Sequence, residues 1–190
     1  MGPWYSAETR EFHLSESEAK NLMQRVCRSY MDEHRKPPTE LFIHGRTRFN
    51  DAEWAGFQAA VPKETRLIGV RIVRSQELKL FRPGAMPVLR GSAYRLSGTR
   101  ALLWTAGFIP QLMTYPGREV PNPLLVEICR GEADLDRVLL DVMGLTKVNF
   151  NACLFADGLP VTLRFADAVG EILTAAPLTE GPPLPFRHYI

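Results

Sequence analysis

An α/β fold with a mixed sheet flanked by helices is predicted by three observations. Two apolar, strand-like runs, Glu40–Gly45 and Leu67–Val73, enclose a helical pattern that starts at Asn50. Strand, helix, strand at this spacing is a βαβ unit, which pairs its strands in parallel and lays the helix across one face. Between Lys79 and Leu103, short β runs alternate with turn signals at Arg82-Pro83-Gly84, Arg90-Gly91 and Ser97-Gly98, the pattern of antiparallel hairpins. Leu124–Cys129 then supplies one more apolar strand, and helical patterns follow it.

Met1–Phe12 is a turn-rich lead-in with Trp4 and Tyr5 available for packing. Ser15 and Glu18 fit a capping box, and Leu22, Met23, Val26, Cys27, Tyr30 and Met31 give the helix behind it an apolar face. His34-Arg35-Lys36 suits the negative end of that helix, and Pro37-Pro38 stops it. Glu40–Gly45 reads as a strand of the buried kind. Asn50 and Glu53 form a second capping-box pattern, ahead of a helix with Trp54, Phe57 and Val61 on its apolar side. Tyr115–Pro123 is too rich in proline for a helix or an inner strand. A helix from about Asp134 to Met143 is apolar at Leu135, Val138, Leu139, Val142 and Met143.

Composition fits a single globular domain with a real core. The chain has 190 residues, 45% of them apolar and 23% charged. The net charge of +2 conceals a basic middle: Arg46, Arg48, Arg66, Arg71, Arg74, Lys79, Arg82, Arg90, Arg95 and Arg100. From Arg66 to Arg100 Glu77 is the lone acid, so a polyanion is expected to bind there. Cys27, Cys129 and Cys153 are odd in number and widely spaced. They read as buried thiols of a reducing cytoplasm, not as disulfides or a zinc site. No signal peptide and no membrane-span-length apolar run is present, which makes the cytoplasm the expected location.

The stretch from Thr146 to Ala175 carries the most chemistry. Thr146, Lys147, Asn149 and Asn151 interleave with Val148, Phe150 and Leu154, and Asp157-Gly158-Leu159-Pro160 is a turn. The last piece reads as a helix with Thr162 as N-cap and Ala166, Val169, Ile172 and Leu173 along one face. That spacing sends Arg164, Asp167 and Glu171 to another face, where an arginine and a carboxylate one turn apart can hold a phosphate and a metal, or simply each other.

This stretch, followed by an end in Phe186-Arg187-His188-Tyr189-Ile190, resembles the C-terminal part of the PIWI domain of Argonaute proteins, prokaryotic ones above all. The resemblance also takes in PPTELFIHGRTRFNDAEWAGF, the ETRLIGVRIVR strand and TYPGREVPNPLLVEICRG, so it runs from about Pro37 to Ile190. It implies an RNase H-like PIWI fold of which this chain matches only the C-terminal half. The expected layout is one partial domain over 1–190: a lead-in and helix (1–38), an α/β body (39–178), and a tail (179–190) returning to the body.

The family's active members cut a guided target strand with two metal ions held by a tetrad of carboxylates. The last tetrad position matches Asp167. The third, an Asp-Gly step in the family, falls on His44-Gly45, and an imidazole is a poor ligand for an oxygen-seeking ion. The first two have no counterpart ahead of Ser15. The resemblance therefore implies no catalysis, with Asp167 and His44 as remnants. It implies binding of a guide RNA or DNA and its complementary target. Lys147, Asn149, Asn151 and Arg164 would contact the backbone, with Arg90, beside Gly91, as a further contact. The terminal carboxylate of Ile190 would share a Mg²⁺ with the guide's 5′ phosphate. Implied partners are a MID-containing or N-terminal PIWI portion and an effector protein; a sheet edge left open by missing strands adds dimerisation. The rival readings are a guided endonuclease completed by another chain and a protein-interaction module without nucleic acid.

Overall fold

The computed structural model describes residues 5–6, 11–115, 117, 119–148 and 158–175. Its main sheet has five strands: β3 (Glu40–Gly45), β4 (Arg66–Arg74), β5 (Ala93–Arg95), β6 (Arg100–Leu103) and β7 (Leu124–Arg130). Their order across the sheet is β3-β4-β7-β6-β5. β3 and β4 run parallel with Glu40 opposite Arg66 and Gly45 opposite Arg71, whereas β5 and β6 are antiparallel with Tyr94 opposite Leu102. The mixed α/β sheet is therefore the one expected. By its internal contacts the chain forms two compact units, one of Met1–Val73 with Val126–Ala133, the other of Arg74–Leu125 with Asp134–Ile190.

In the first unit, Ser15 caps α1 (Glu16–His34) by accepting from the Glu18 N–H, while the Glu18 carboxylate returns to the Ser15 N–H. Arg35 ends the helix in a left-handed conformation, its N–H bonded to the Met31 carbonyl, and the prolines follow. α2 (Asp51–Ala60) begins at Asn50, whose side chain accepts from the Glu53 N–H. The reciprocal half of this expected capping box is redirected: the buried Glu53 carboxylate takes the Leu14 N–H at 3.3 Å and faces His13 Nδ1 at 3.4 Å. Gly56 is where the two helices meet, since a Cβ there would overlap the Glu16 carbonyl. Around that contact Ala19, Met23, Cys27, Phe49, Trp54 and Phe57 form a core, with the Phe57 ring edge-on to both Phe49 and Trp54.

Two expectations need correction here. The apolar face of α1 is narrower than its sequence pattern, because Ala19, Met23 and Cys27 turn inward while Leu22, Val26 and Met31, on the flank of that stripe, stay exposed. β3 is half-buried throughout and not of the fully buried kind, because it lies at the edge of the described sheet. The buried run belongs to β4, where Ile68, Val70 and Ile72 are inside. The lead-in also contains a two-residue ladder, β1 (Tyr5–Ser6) with β2 (Glu11–Phe12).

In the second unit the turn at Ser97-Gly98 closes the β5–β6 hairpin as expected, with the Leu96 N–H on the Arg100 carbonyl. No strand forms from Lys79 to Pro87, where Pro83 and Pro87 remove the donors a ladder needs. Beyond Pro87 the backbone pairs again: the Phe108 N–H bonds the Val88 carbonyl and the Arg90 N–H bonds the Phe108 carbonyl. Val88, Leu102 and Trp104 make a small core, and the Trp104 indole donates to the Pro121 carbonyl at 3.2 Å. Asp134 caps α3 (Leu135–Leu145), accepting from the Asp136 and Arg137 N–H groups, and Leu135, Val138, Leu139 and Val142 face inward. α4 (Val161–Ala175) starts one residue before the expected Thr162 cap. The Pro160 carbonyl accepts from Leu163 and Arg164, each at 3.0 Å, leaving Thr162 already inside the first turn. With that start the inward residue is Leu163, and Ala166, expected inside, is exposed.

Candidate nucleic-acid interface

In the second unit Arg90 ties the start of the Thr146 stretch to the segment after β6. Its Nε donates to the Thr105 carbonyl at 2.9 Å and its Nη2 to the Thr146 hydroxyl at 3.3 Å. Thr146 is fully buried and its hydroxyl donates to the Met143 carbonyl at 2.7 Å, closing the last turn of α3. Partial burial pulls the Arg90 pKa below the usual guanidinium value, although a guanidinium stays charged at neutral pH. Thr105 serves a second contact: Gly158, at φ +80°, lies so close that a Cβ would sit 2.9 Å from the Thr105 hydroxyl. A positive φ and that proximity together require glycine at this turn.

Arg90 is therefore drawn into the framework, held half-buried by internal bonds, and is not an extended surface cation. Lys147 follows Thr146 directly and is exposed, its N–H bonded to the Gly144 carbonyl at 2.9 Å. On α4, Arg164 is exposed and Asp167, three residues on, is half-buried. Asn149, Asn151 and Ile190 lie outside the described residues. In the first unit His44 is half-buried on β3, opposite Val70. Among the described residues no three His, Cys, Asp or Glu side chains converge as metal ligands. The terminal carboxylate that the Mg²⁺ reading invokes lies outside the described residues.

Two arginines of the basic middle share an acid that lies outside that stretch in sequence. Glu127, on β7, is buried, and both Arg48 and Arg71 bond it. The only signal was a charged residue in the otherwise apolar run Leu124–Cys129. A cleft of about 380 Å³ lies in the second unit, bounded by Arg74, Thr105, Tyr115, Glu119 and Asn122 among others. No described helix is long and apolar enough to cross a membrane.

Neither a family model nor a curated protein matches the sequence. Solved structures do match. The Clostridium butyricum Argonaute bound to a guide DNA and a 19-mer target DNA superposes with a TM-score of 0.68 over 88% of this chain, at 19% identity. Aa-Ago with externally bound siRNA gives 0.67 over 88% at 16% identity, and A. aeolicus Argonaute 0.60 over 84% at 19%. The fold is that of Argonaute structures. It is the RNase H-like PIWI type expected from the resemblance. The chain spans only 22–23% of the length of those proteins.

Proposed function

We propose that this chain is the C-terminal part of a PIWI domain that holds a guide strand and its paired target and does not cut them. What carries the reading is the likeness of fold, over 88% of the chain, to an Argonaute bound to guide and target DNA. The exposed Lys147 and Arg164 suit it, since cations grip phosphate without reading sequence. Asn149 and Asn151 would add amide contacts, and the carboxylate of Ile190 would share a Mg²⁺ with the 5′ phosphate. Base pairing would supply specificity while the protein recognises backbone and duplex shape.

The absence of cutting rests on the residues at the two matched tetrad positions. An imidazole at His44 and one carboxylate at Asp167 fall short of the several acids that two hard cations need. An inactive member must act through something else, so an effector protein and the remaining Argonaute portion are the proposed partners. Guide-dependent cuts in Mg²⁺ or Mn²⁺ that vanish in Asp167→Ala would overturn the inactive reading and favour an endonuclease completed by another chain.

The direct test is binding of a 5′-phosphorylated oligonucleotide, with and without Mg²⁺, against its 5′-hydroxyl twin and against the chain lacking Ile190. A phosphate preference that needs metal and is lost on deletion is expected. Equal or absent binding would favour the interaction-module reading, which has its own support in the exposed Phe81, Leu112 and Met113 side chains of the second unit.

A further inference from the structure

We propose that Phe81 is a stacking platform for an unpaired nucleobase of a bound single strand, with Lys79 and Arg82 on either side of it attracting the phosphates. The inference rests on the reading that the chain binds nucleic acid, and it adds a grip on a base where that reading grips phosphate. Phe81 lies in the second unit, on the stretch from Lys79 to Pro87 that forms no β-strand, and is 73% exposed. A ring that large left in solvent is unusual for a globular chain. It lines a cleft of about 360 Å³ together with Leu80, Met86, Tyr115 and Val120. The stretch is held at three points. Lys79 Nζ donates to the Val120 carbonyl at 3.2 Å, the Arg82 guanidinium stands 5.9 Å from the centre of the Phe108 ring, and the Val88 carbonyl accepts from the Phe108 N–H at 2.9 Å. Gly84, at φ +105°, turns the chain between the last two. A platform fixed beforehand lowers the entropy lost when a ligand arrives.

Chemistry decides what such a platform takes. A phenyl ring makes no conventional hydrogen bond, so it cannot read a base edge. It offers a flat face, and every nucleobase has one to match. Cations flank the ring in sequence, and the chain carries no acid from Leu78 to Arg118. A polyanion is drawn to that composition, whereas an apolar peptide would gain nothing from the cations. Glu119 also lines the cleft, and its carboxylate disfavours a phosphate inside it. The base therefore enters while the backbone stays at the rim. Aromatic stacking beside basic side chains is the general means by which proteins hold single strands without reading their sequence.

The test is fluorescence anisotropy of the 190-residue chain with a labelled 5′-hydroxyl oligodeoxythymidine and with its abasic twin of equal charge, over a range of KCl concentrations. Phe81→Ala is expected to weaken binding of the normal strand about tenfold and to leave the log–log salt slope unchanged, because stacking releases no counterions. The abasic twin should bind the wild type more weakly than the normal strand does, and Phe81→Ala should narrow that difference about tenfold. An undiminished difference overturns the proposal. Phe81→Tyr keeps the flat face and should bind as the wild type does; a tenfold loss there overturns it. Phe81→Leu is apolar without that face and should lose as much as Phe81→Ala. Full affinity in Phe81→Leu would mean an apolar docking patch and overturn the stacking assignment. Met113→Ala, 74% exposed in the same unit, is the control, and an equal loss there overturns the proposal too. Phe81→Leu carries the decision if Phe81→Ala fails to fold by circular dichroism. Wild-type binding that Phe81→Ala leaves unaltered overturns this contact alone, whereas no binding by the wild type overturns the proposed function with it.

Discussion

Arg90 reaches the Thr146 hydroxyl with Nη2 at 3.3 Å while its Nε holds the Thr105 carbonyl, so one guanidinium ties the exit of α3 to the segment after β6. The residues it bonds are buried, which makes the bonds matter more than they would at a surface. Lys147 begins where this tie ends. The local framework of the second unit therefore sets where the Thr146 stretch starts before any ligand is present.

Removing the tie should cost stability. Arg90→Ala leaves the Thr105 carbonyl without its guanidinium donor, and an abandoned buried acceptor costs about 1–3 kcal/mol. Arg90→Lys should recover little, because a single ammonium cannot span both acceptors in the geometry of a planar fork. Urea unfolding followed by tryptophan fluorescence will report it, with Trp104 buried in this unit as the probe. A loss below about 0.5 kcal/mol, the size of an ordinary surface substitution, would refute the framework role.

A different kind of sensitivity is expected at Gly56. Its missing Cβ is the space into which the Glu16 carbonyl and the Ala19 methyl fit, so Gly56→Ala must push α1 away from α2. Alanine is the better helix former by about 1 kcal/mol, so intrinsic propensity alone predicts stabilisation. Overpacking at a backbone contact costs about 1–3 kcal/mol and should prevail. A lower midpoint in thermal melting is the expected outcome; a higher one would show that the helices can part cheaply.

Much of this fold was legible because local chemistry and tertiary packing agree. Ser15, Asn50 and Asp134 all cap the helices they precede, and the βαβ pairing follows from the spacing of two apolar runs. What was not legible came from contacts far apart in sequence. Glu53 fits a capping box locally, yet its carboxylate serves Leu14, 39 residues away. Arg90 looks like a free cation beside a glycine, yet its partner Thr146 is 56 residues away. Glu127 hides in an apolar run and makes sense only with Arg48, 79 residues away. Thr162 is a good capping residue in sequence, yet the carbonyl of Pro160 takes the first helical bonds and α4 starts earlier.

Thiol chemistry should follow pH in a defined direction. Burial raises the pKa of both Cys27 and Cys129 above the ordinary value of 9.0, and the Cys129 thiol also donates to the Gly69 carbonyl at 3.4 Å. A folded-state pKa above the unfolded one means that the native protein holds its thiol protons longer. The resulting stability is fully present below about pH 9 and is lost as pH rises through the folded values. In a Cys153→Ser background, iodoacetamide labelling of the native chain should be slow at pH 8 and accelerate only above pH 9, because the thiolate is the reactive form. Rapid labelling at pH 7.5 would show that one of these sites opens to solvent.

Lys147 and Arg164 allow function to be separated from stability. Both are exposed, so Lys147→Ala and Arg164→Ala should each shift unfolding by no more than about 0.5 kcal/mol. If they contact phosphate, each should weaken oligonucleotide binding about equally for every sequence tried and lower the salt slope by roughly one contact, because backbone contacts carry affinity and no sequence information. Asp167→Ala is the useful contrast. Its carboxylate is half-buried on the same helix as Arg164, and losing a negative charge near a phosphate backbone should leave affinity unchanged or raise it. Weaker binding in Asp167→Ala that depends on Mg²⁺ would instead give this carboxylate a metal to hold. Anisotropy titrations of the three variants at two salt concentrations, with and without Mg²⁺, separate these outcomes.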